Sequence, residues 1–409
     1  MKSLSNPVEI IQVSYCPEGK EIRVGRLATR RGQIWFEYDH DFLNSGLQLS
    51  PIKLPLQSSV FSGAGSPFEN LFGLFNDSLP DGWGRLLLDR AMTARGIDYR
   101  ELTPLDRLAY VGNQGMGALI YKPDYSGDTD ISEVVDLNKI SREVEITLEG
   151  GAPESLEELY QLGGSSSGAR PKVLVGYNQN ENRIIHGQRK LPKGFDAWMV
   201  KFASSTDQRD VGKIEYAYSL MARSAGIEIP ETKLFQGNQD KYWFGIKRFD
   251  RNRNNRIHLH SVAGLLHADH RIPSLDYDSI LRCAFLLQPD IQEAIKIFRI
   301  AAFNVFAHNR DDHSKNFSFL MNNVGEWRFA PAYDLTFSNG PGGEHSTMVN
   351  GEGRSPNHSH LLRLAEKFRI RKGEAIIAEV QESISHWPEF AKQAGVEKAS
   401  IRIIEKKLR

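Results

Sequence analysis

The feature that most constrains the fold is a change in hydrophobic periodicity near residue 260. Before it, segments with the two-residue alternation of β-strands are separated by Gly and charged turns, as at Ile22–Thr29, Gln33–Tyr38 and Tyr242–Phe249. After it, apolar residues recur at helical spacing from His260 to His308 and again from His360 to Leu408. A β-rich part followed by a helical part is the layout of a two-lobed α+β enzyme.

Composition excludes several classes of protein. Lys and Arg number 51 and Asp and Glu also number 51, whereas a protein that binds nucleic acid by itself usually carries a basic excess. The sequence has no apolar run near the ~20 residues that span a membrane, and the first residues lack the apolar centre of a secretory signal. Cys16 and Cys283 are too few for a disulfide framework. We therefore expect a cytoplasmic protein without a membrane partner.

The most informative motif lies between His308 and Asn316. Asp311 precedes Asn316 by five positions, which is the Asp–Asn spacing of a kinase catalytic loop. In that loop the Asp accepts the proton of the substrate hydroxyl and the Asn binds Mg²⁺. Asp312 competes for the base role at a spacing of four, and a purely structural alternative is that these acids cap a helix ending near Ala307.

The segment after this motif has the pattern strand, turn, strand. Phe317–Leu320 and Trp327–Ala330 are the two strand-like runs, and Asn322–Gly325 supplies the turn. A hairpin of this length returns the chain to its starting point, so it predicts that Asp334 lies beside Asn316. A carboxylate and an amide oxygen at one point suit Mg²⁺.

A Gly-rich run, Gly163–Lys172, precedes a predicted strand at Val173–Tyr177. It lacks the Gly-x-x-x-x-Gly-Lys pattern of a Walker A loop, and a flexible linker is the structural alternative. At the entry of a strand, however, its backbone N–H groups can surround phosphate oxygens. Lys201 ends the next strand and could pair with a phosphate, Glu215 could pair with Lys201, and Lys247–Phe249 could contact the adenine.

These segments together resemble the HipA family of toxin kinases. The resemblance covers about residues 70–335 in the family's order, and the catalytic segment is its most specific part. The matching segments are Leu79–Gly84, Gly112–Leu119, Gly163–Lys172, Arg248–Arg251, Asn309–Asn316 and Ala332–Asp334.

The resemblance implies a two-lobed, protein-kinase-like HipA fold. It implies a β-rich N-terminal subdomain at 1–125, a small kinase lobe at 126–250 and an all-helical C-terminal lobe at 251–409. The implied roles are Asp311 as catalytic base and Asn316 and Asp334 as Mg²⁺ ligands. The implied ATP contacts are Ser167, Gly168, Ala169, Arg170, Pro171, Lys172, Lys201, Lys247, Arg248, Phe249, His313, Ser314, Lys315, Asn316, Tyr333 and Asp334.

The family also phosphorylates itself on a serine of the Gly-rich loop, which ejects the loop and silences the kinase. Ser165 fits that role by position, and Ser166 and Ser167 are the alternatives. The residues Ala169, Arg170 and Pro171 depart from the family's commoner Ala-Gln-Glu, which puts side-chain contacts to ATP there in doubt.

The resemblance implies a function as well. It implies an ATP- and Mg²⁺-dependent Ser/Thr protein kinase, the toxin of a type II toxin–antitoxin system, acting on an aminoacyl-tRNA synthetase. The implied partner is a small helix-turn-helix antitoxin, HipB-like, through which most DNA contact is made. Two alternatives remain open: an autophosphorylated, inactive corepressor, and a kinase of a small molecule or lipid.

Overall fold

A computed structural model describes residues 7–127, 134–166, 168–187 and 190–408. The chain divides into two compact units. The first takes residues 1–208, 235–260 and 321–325, and the second takes 209–234, 261–320 and 326–409. None of the helices among the described residues is long and apolar enough to cross a membrane.

The strands of the described residues cluster in the first unit. In chain order they are β1 Ile10–Tyr15, β2 Ile22–Arg30, β3 Gln33–Tyr38, β4 Val60–Ser62, β5 Leu119–Lys122, β6 Lys172–Asn178, β7 Arg183–His186, β8 Asp196–Lys201, β9 Thr232–Gln236, β10 Tyr242–Lys247, β11 Arg251–Asn252, β12 Asn255–Arg256, β13 His258–Ser261, β14 Leu275–Asp276, β15 Ser318–Met321, β16 Trp327–Phe329 and β17 Thr347–Met348.

Helices occur in both units and dominate the second. They are α1 His40–Leu43, α2 Gly73–Asn76, α3 Gly82–Ala94, α4 Pro104–Val111, α5 Leu137–Leu148, α6 Leu156–Gly163, α7 Val211–Ser224, α8 Val262–Leu266, α9 Tyr277–Leu287, α10 Ile291–Phe306, α11 His358–Lys367, α12 Gly373–Ser385, α13 Trp387–Gln393 and α14 Lys398–Leu408. Single 3₁₀ turns lie at Tyr99–Glu101, Ser314–Asn316 and Pro341–Gly343.

The first unit contains two five-stranded sheets. The N-terminal sheet has the order β4-β3-β2-β1-β5, and its paired strands run antiparallel. The second sheet has the order β7-β6-β8-β10-β9. Alternate residues of β1, Ile11 and Val13, are buried, which is the pattern expected when one face of a sheet covers a core.

Helix α3 packs against the second sheet. Trp83 and Leu87 belong to the same buried cluster as Val173 and Trp198 of the second sheet. The Trp83 indole Nε1 also donates to the backbone oxygen of Lys172 at 3.0 Å. The finer division into domains at 1–125, 126–250 and 251–409 therefore stays a prediction, since the contacts resolve two units only.

The second unit is mainly helical but not wholly so, which corrects the expectation of an all-helical C-terminal lobe. Strands β15 and β16 are neighbours in one sheet, and the backbone N–H of Ala330 donates to the oxygen of Ser318 at 2.9 Å. Strands β14 and β17 form a parallel pair. Strands β15 and β16 follow the predicted catalytic segment directly, where the chain doubles back.

Candidate active site

The predicted catalytic segment begins directly after α10. The Asn316 side-chain amide donates to the backbone oxygen of Asp311 at 2.7 Å, so the two ends of the Asp–Asn motif are in direct contact. Asp311 itself is exposed. Both residues of the predicted pair are thus held in one tight loop, which the 3₁₀ turn Ser314–Asn316 closes.

The structure distinguishes Asp311 from Asp312. The Asp312 side chain is fully buried, at 0% exposure, and both of its oxygens accept hydrogen bonds from residues 277 and 345–347. A carboxylate so engaged has no lone pair directed at a substrate. The exposed Asp311 is therefore the better-placed base, although its role stays a prediction.

The hairpin brings Asp334 back to the catalytic loop, as the pattern predicted. Asn316 and Asp334 line a common pocket, together with Ser318, Phe329 and Tyr333. The Tyr333 hydroxyl donates to the backbone oxygen of Lys315 at 2.6 Å and lies 2.6 Å from the Ser318 hydroxyl. This tyrosine binds the end of the hairpin to the loop, so that Asn316 and Asp334 lie at one pocket.

The donor set of this pocket fits Mg²⁺. An Asn oxygen and an Asp carboxylate are hard ligands, and Mg²⁺ commonly takes one or two protein ligands and completes its shell with phosphates and water. Among the described residues, no group of three or more His, Cys, Asp or Glu side chains is arranged to hold a metal. A site with few protein ligands, completed by a nucleotide, is consistent with this arrangement.

Three further predicted contacts lie in the same loop. Ser314 is buried, whereas His313 and Lys315 are partly exposed. The His313 ring lies 5.6 Å from the ring of His270, centroid to centroid. Sequence reasoning did not single out His270, and a lone histidine in a loop carries no motif that would have identified it.

In the first unit, the predicted phosphate loop is attached to the start of α3. The backbone N–H of Gly168 donates to the Asp81 carboxylate, and the backbone oxygen of Gly168 accepts from the Trp83 backbone N–H at 3.1 Å. A β-carbon added to Gly82 would lie 2.6 Å from the Cα of Ala169, and one added to Gly84 would lie 2.3 Å from the Ser166 oxygen. Only glycine allows this close approach.

The contact between the loop and the start of α3 determines which loop groups could bind a phosphate. Because Gly168 donates to Asp81, phosphate contacts from this loop would have to come from its other backbone groups. Arg170 forms an ion pair with Asp207 at 3.2 Å, and the oxygen of Pro171 accepts from Phe202. Ser167 lies outside the described residues. The sequence analysis included Asp81 in the matching segment Leu79–Gly84 without a role; its contact with the loop is made across 87 positions of the chain.

Two predicted lysines lie side by side under this loop. Lys172 and Lys201 are direct partners in the pairing of β6 and β8, so their side chains share one face of the sheet. Both are buried, at 4% and 8% exposure. Lys201 Nζ lies 5.7 Å from the centre of the Phe244 ring. The pairing therefore brings two cationic side chains to one face of the sheet.

The predicted hinge residues have different environments. The Lys247 ammonium lies 2.6 Å from the Asp196 carboxylate. The Arg248 guanidinium is buried against Asp250 at 2.8 Å, and its backbone N–H donates to Ala197. Phe249 is partly exposed. Arg248 therefore holds the hinge in place, and its side chain is engaged within the protein.

Two of the candidate autophosphorylation residues, Ser165 and Ser166, are buried in this structure, and the third, Ser167, lies outside the described residues. Ser165 is 6% exposed and Ser166 is 0% exposed. The Ser166 hydroxyl donates to the backbone oxygen of Gly163 at 2.6 Å. Glu215, predicted to pair with Lys201, is buried on α7, and that pairing stays a prediction.

Comparisons with known proteins match both parts of the chain. The family model of the HipA-like C-terminal domain matches residues 164–387, and that of the HipA N-terminal domain matches residues 19–122. Among solved structures, the complex of HipA, HipB and operator DNA from the Shewanella oneidensis MR-1 toxin–antitoxin system contains a similar chain. The TM-score is 0.71 at 16% identity, covering 97% of this chain and 95% of that chain.

A second structure, the Helicobacter pylori proinflammatory kinase CtkA, is 15% identical over 52% of this chain and 87% of that chain, with a TM-score of 0.35, and carries no argument. The Shewanella match confirms the predicted α+β, two-lobed HipA fold. The C-terminal family model alone covers more than half of the sequence and includes Gly168, Lys201, Asp311 and Asp334. The chain therefore belongs to the HipA family.

Proposed function

We propose that this protein is an ATP-dependent Ser/Thr protein kinase that acts as the toxin of a type II toxin–antitoxin system. One observation carries the proposal. An exposed carboxylate, Asp311, lies in the same loop as Asn316, which lines a pocket together with Asp334. A carboxylate in the same loop as an Asn that shares a pocket with a second Asp is the arrangement that kinases use for transfer of a phosphoryl group to a hydroxyl.

In the proposed mechanism, Asp311 orients the target hydroxyl and accepts its proton. Asn316 and Asp334 would hold Mg²⁺, which neutralises the charge of the β- and γ-phosphates when bound. Lys172 and Lys201 attract the phosphates to the adjacent loop. Catalysis then depends on position and charge, because the protein itself forms no covalent bond in phosphoryl transfer.

For the adenine, we propose recognition by the segment from Lys247 to Phe249. The Arg248 side chain is held by Asp250, which leaves the Phe249 ring and the remaining backbone groups of the segment to contact the base. The contacts of Ala169, His313, Ser314, Lys315 and Tyr333 with ATP are part of the same proposal.

The test is the substitution Asp311→Asn. The variant keeps the shape of the side chain and the 2.7 Å contact of its backbone oxygen with Asn316, so we expect it to fold normally. Loss of a general base lowers the rate by about 10²–10⁴-fold, measured as transfer of ³²P from Mg-ATP to protein. Asp240→Asn, at an exposed turn, is the matched control. Full transfer by Asp311→Asn would refute the role of Asp311.

The proposed substrate is an aminoacyl-tRNA synthetase, phosphorylated in the cytoplasm to inhibit translation and favour persistence. The proposed partner is a helix-turn-helix antitoxin of the HipB kind, which would make most of the DNA contact. The similar Shewanella chain comes from a complex with HipB and operator DNA, and the balanced charge of this chain is in line with delegated DNA binding. Phosphoproteomics after induction, with Asp311→Asn as the control, tests the substrate; absence of any modified synthetase would reject it.

A second candidate function is that of an autophosphorylated corepressor. It is favoured by the serines in the Gly-rich loop, with Ser165 as the first choice and Ser166 and Ser167 as alternatives. Ser165 and Ser166 are buried while the loop is docked, so their modification requires the loop to leave. Intact-mass measurement of the purified protein discriminates between the two functions. One phosphate per molecule on these serines favours the corepressor, and an unmodified chain with kinase activity favours the toxin.

A further inference from the structure

Alternate residues of the catalytic segment contact a later segment of the chain, which follows Asp334. The His308 ring stacks on Phe337 at 5.2 Å, and its Nε2 lies 3.2 Å from the side-chain oxygen of Asn339. The Arg310 guanidinium donates to the backbone oxygen of Gly343. These contacts place the segment after Asp334 alongside the loop that carries Asp311.

Asp312 makes the strongest of these attachments. Its Oδ1 accepts from the backbone N–H groups of Ser346 at 2.9 Å and Thr347 at 3.2 Å. Its Oδ2 accepts from the Tyr277 hydroxyl and from His345 Nδ1, both at 3.0 Å. Asp312 and His345 are 0% and 2% exposed. Four donors satisfy a carboxylate that would otherwise be costly to bury.

The backbone of the same residue is held as well. The Asp312 backbone oxygen accepts from the Thr347 hydroxyl at 2.5 Å. The oxygen of Arg310 accepts from the Ser346 backbone N–H at 3.2 Å. The backbone oxygens of Arg310 and Asp312, the residues on either side of Asp311, are therefore bound to Ser346 and Thr347, respectively.

The network continues into two helices. The Tyr277 hydroxyl, at the start of α9, accepts from the Asn304 side-chain amide at 2.8 Å. Asn304, near the end of α10, accepts from the Asn309 side-chain amide at 2.8 Å. The parallel pairing of Leu275 with Thr347 holds α9 next to the same segment. The loop is thus fixed on both sides of Asp311, by Asn309 before it and by Asp312 after it.

We propose that Asp312 is a positioning residue, which sets the direction of the Asp311 carboxylate through the hydrogen bonds from Tyr277, His345, Ser346 and Thr347. The inference rests on the proposed function, in which Asp311 accepts the proton of the target hydroxyl. Asp312 does not touch the substrate; it acts by holding the peptide that bears the base. A displacement of about 1 Å at a catalytic group lowers a rate by about 10²-fold.

The first test is Asp312→Asn. The amide retains one acceptor oxygen but presents an NH₂ group to two donors, so the loop loses part of its attachment. We expect kcat for ³²P transfer to fall by about 10²-fold, while KM for Mg-ATP and the thermal midpoint change little. Asp240→Asn should change none of the three. Tyr277→Phe removes a single donor to Asp312 and should lower kcat by a smaller factor. This variant replaces Asp312→Asn as the test if Asp312→Asn does not fold.

A double variant separates positioning from simple support of the fold. If Asp312 acts through Asp311, the Asp311→Asn/Asp312→Asn protein should retain the same residual rate as Asp311→Asn alone. Multiplicative losses in the double variant would overturn the proposal, and so would an Asp312→Asn protein with unchanged kcat.

Hydrogen exchange gives a readout that does not depend on kinase activity. In Asp312→Asn the amides of Ser346 and Thr347 should exchange faster, together with those of residues 311–316, while α14 stays protected. Wild-type protein without any transfer activity would reject the proposed function. Exchange at 311–316 that is the same in Asp312→Asn and wild type would reject the positioning role.

Discussion

At the scale of single residues, Asp334 has the most unusual backbone in the candidate site. Its φ is +57°, in the left-handed region that non-glycine residues seldom adopt. Asp and Asn tolerate this region better than β-branched residues. Asp334 also lines a pocket with Asn316. The position therefore needs a residue that tolerates this backbone conformation and, for the proposed metal site, one that carries a negative charge.

Substitutions can separate those requirements. We expect Asp334→Asn to keep the thermal midpoint close to wild type and to lose most Mg²⁺-dependent binding of a non-hydrolysable ATP analogue, because the amide keeps the backbone but lacks the charge. Asp334→Val should have a lower thermal midpoint as well as weaker binding of the analogue, since backbone strain in this region costs about 1–3 kcal/mol. Calorimetry with and without EDTA measures binding. Undiminished binding by Asp334→Asn would remove Asp334 from the metal site.

A second cluster of residues has the hydrogen-bond geometry of a catalytic triad but is buried. The His260 ring lies 2.9 Å from the Ser50 hydroxyl and 2.6 Å from the Asp77 carboxylate. Ser50, Asp77 and His260 are all buried, and a nucleophile in a hydrolase must be reached by its substrate. These three residues therefore link Ser50 and Asp77 to β13 as a structural network.

The choice between Asp311 and Asp312 shows where sequence reasoning ended at this scale. The spacing to Asn316 favoured Asp311 by one position, and no local pattern could exclude Asp312. The donors that occupy Asp312 come from Tyr277, 35 positions before it, and from Ser346, 34 positions after it. Only the folded chain brings these groups together, and the sequence carries no short motif for them.

At the scale of elements, the contact between α3 and the Gly-rich loop is the tightest in the candidate site. The Gly84 position would place a β-carbon 2.3 Å from the Ser166 oxygen and 3.1 Å from that of Gly164. Backbone atoms cannot move away as a flexible side chain can, so even one methyl group would displace the loop.

Gly84→Ala tests this contact. Overpacking costs about 1–3 kcal/mol, so we expect the affinity for a Mg-bound ATP analogue to weaken by about tenfold. The helix itself should persist, because Ala favours helices more than Gly does. Thr93→Ala, on the exposed side of α3, is the matched control. Equal affinities for the two variants, measured by calorimetry, would show that the contact does not support nucleotide binding.

Element boundaries were predictable where local signals were strong. Helix α4 begins with such signals, a capping box at Thr103 and Pro104 in the first turn. Helix α5 was not predicted, although Leu137, Ile140 and Val144 recur at helical spacing and Asp136 caps the start.

At the scale of the whole molecule, buried histidines make stability depend on pH. Burial lowers the pKa of His258 to about 4, and it also lowers the pKa values of His186 and His308. A histidine whose folded-state pKa is depressed stays neutral in the folded protein while the unfolded chain binds a proton. Its contribution to stability is therefore complete above its unfolded pKa and is lost as the pH falls.

The expected loss through His258 is about 3 kcal/mol of unfolding free energy between pH ~6.5 and pH ~4. His258→Gln keeps a donor for the Leu49 oxygen and removes the titration, so its stability should fall less steeply with acid. His40→Gln, with 90% of the side chain exposed, is the control. Urea denaturation at about pH 7, 5.5 and 4.5 measures the slopes. Parallel slopes for His258→Gln and wild type would contradict the prediction.

The two-lobed fold and the order of its parts were predictable, because periodicity and family motifs are local in sequence. The attachment of α3 to the second sheet was not, since Trp83 and Lys172 are 89 positions apart. This contact binds α3 to the strand that follows the Gly-rich loop.

The burial of Ser165 and Ser166 has a consequence for timing. Under the proposed self-phosphorylation, neither hydroxyl can be modified until the loop has separated from α3, so silencing cannot be faster than that separation. The working lifetime of each molecule would then be set by a packing equilibrium and not by the supply of ATP. A chain with weaker contacts at Gly84 would release the loop more readily and switch itself off sooner.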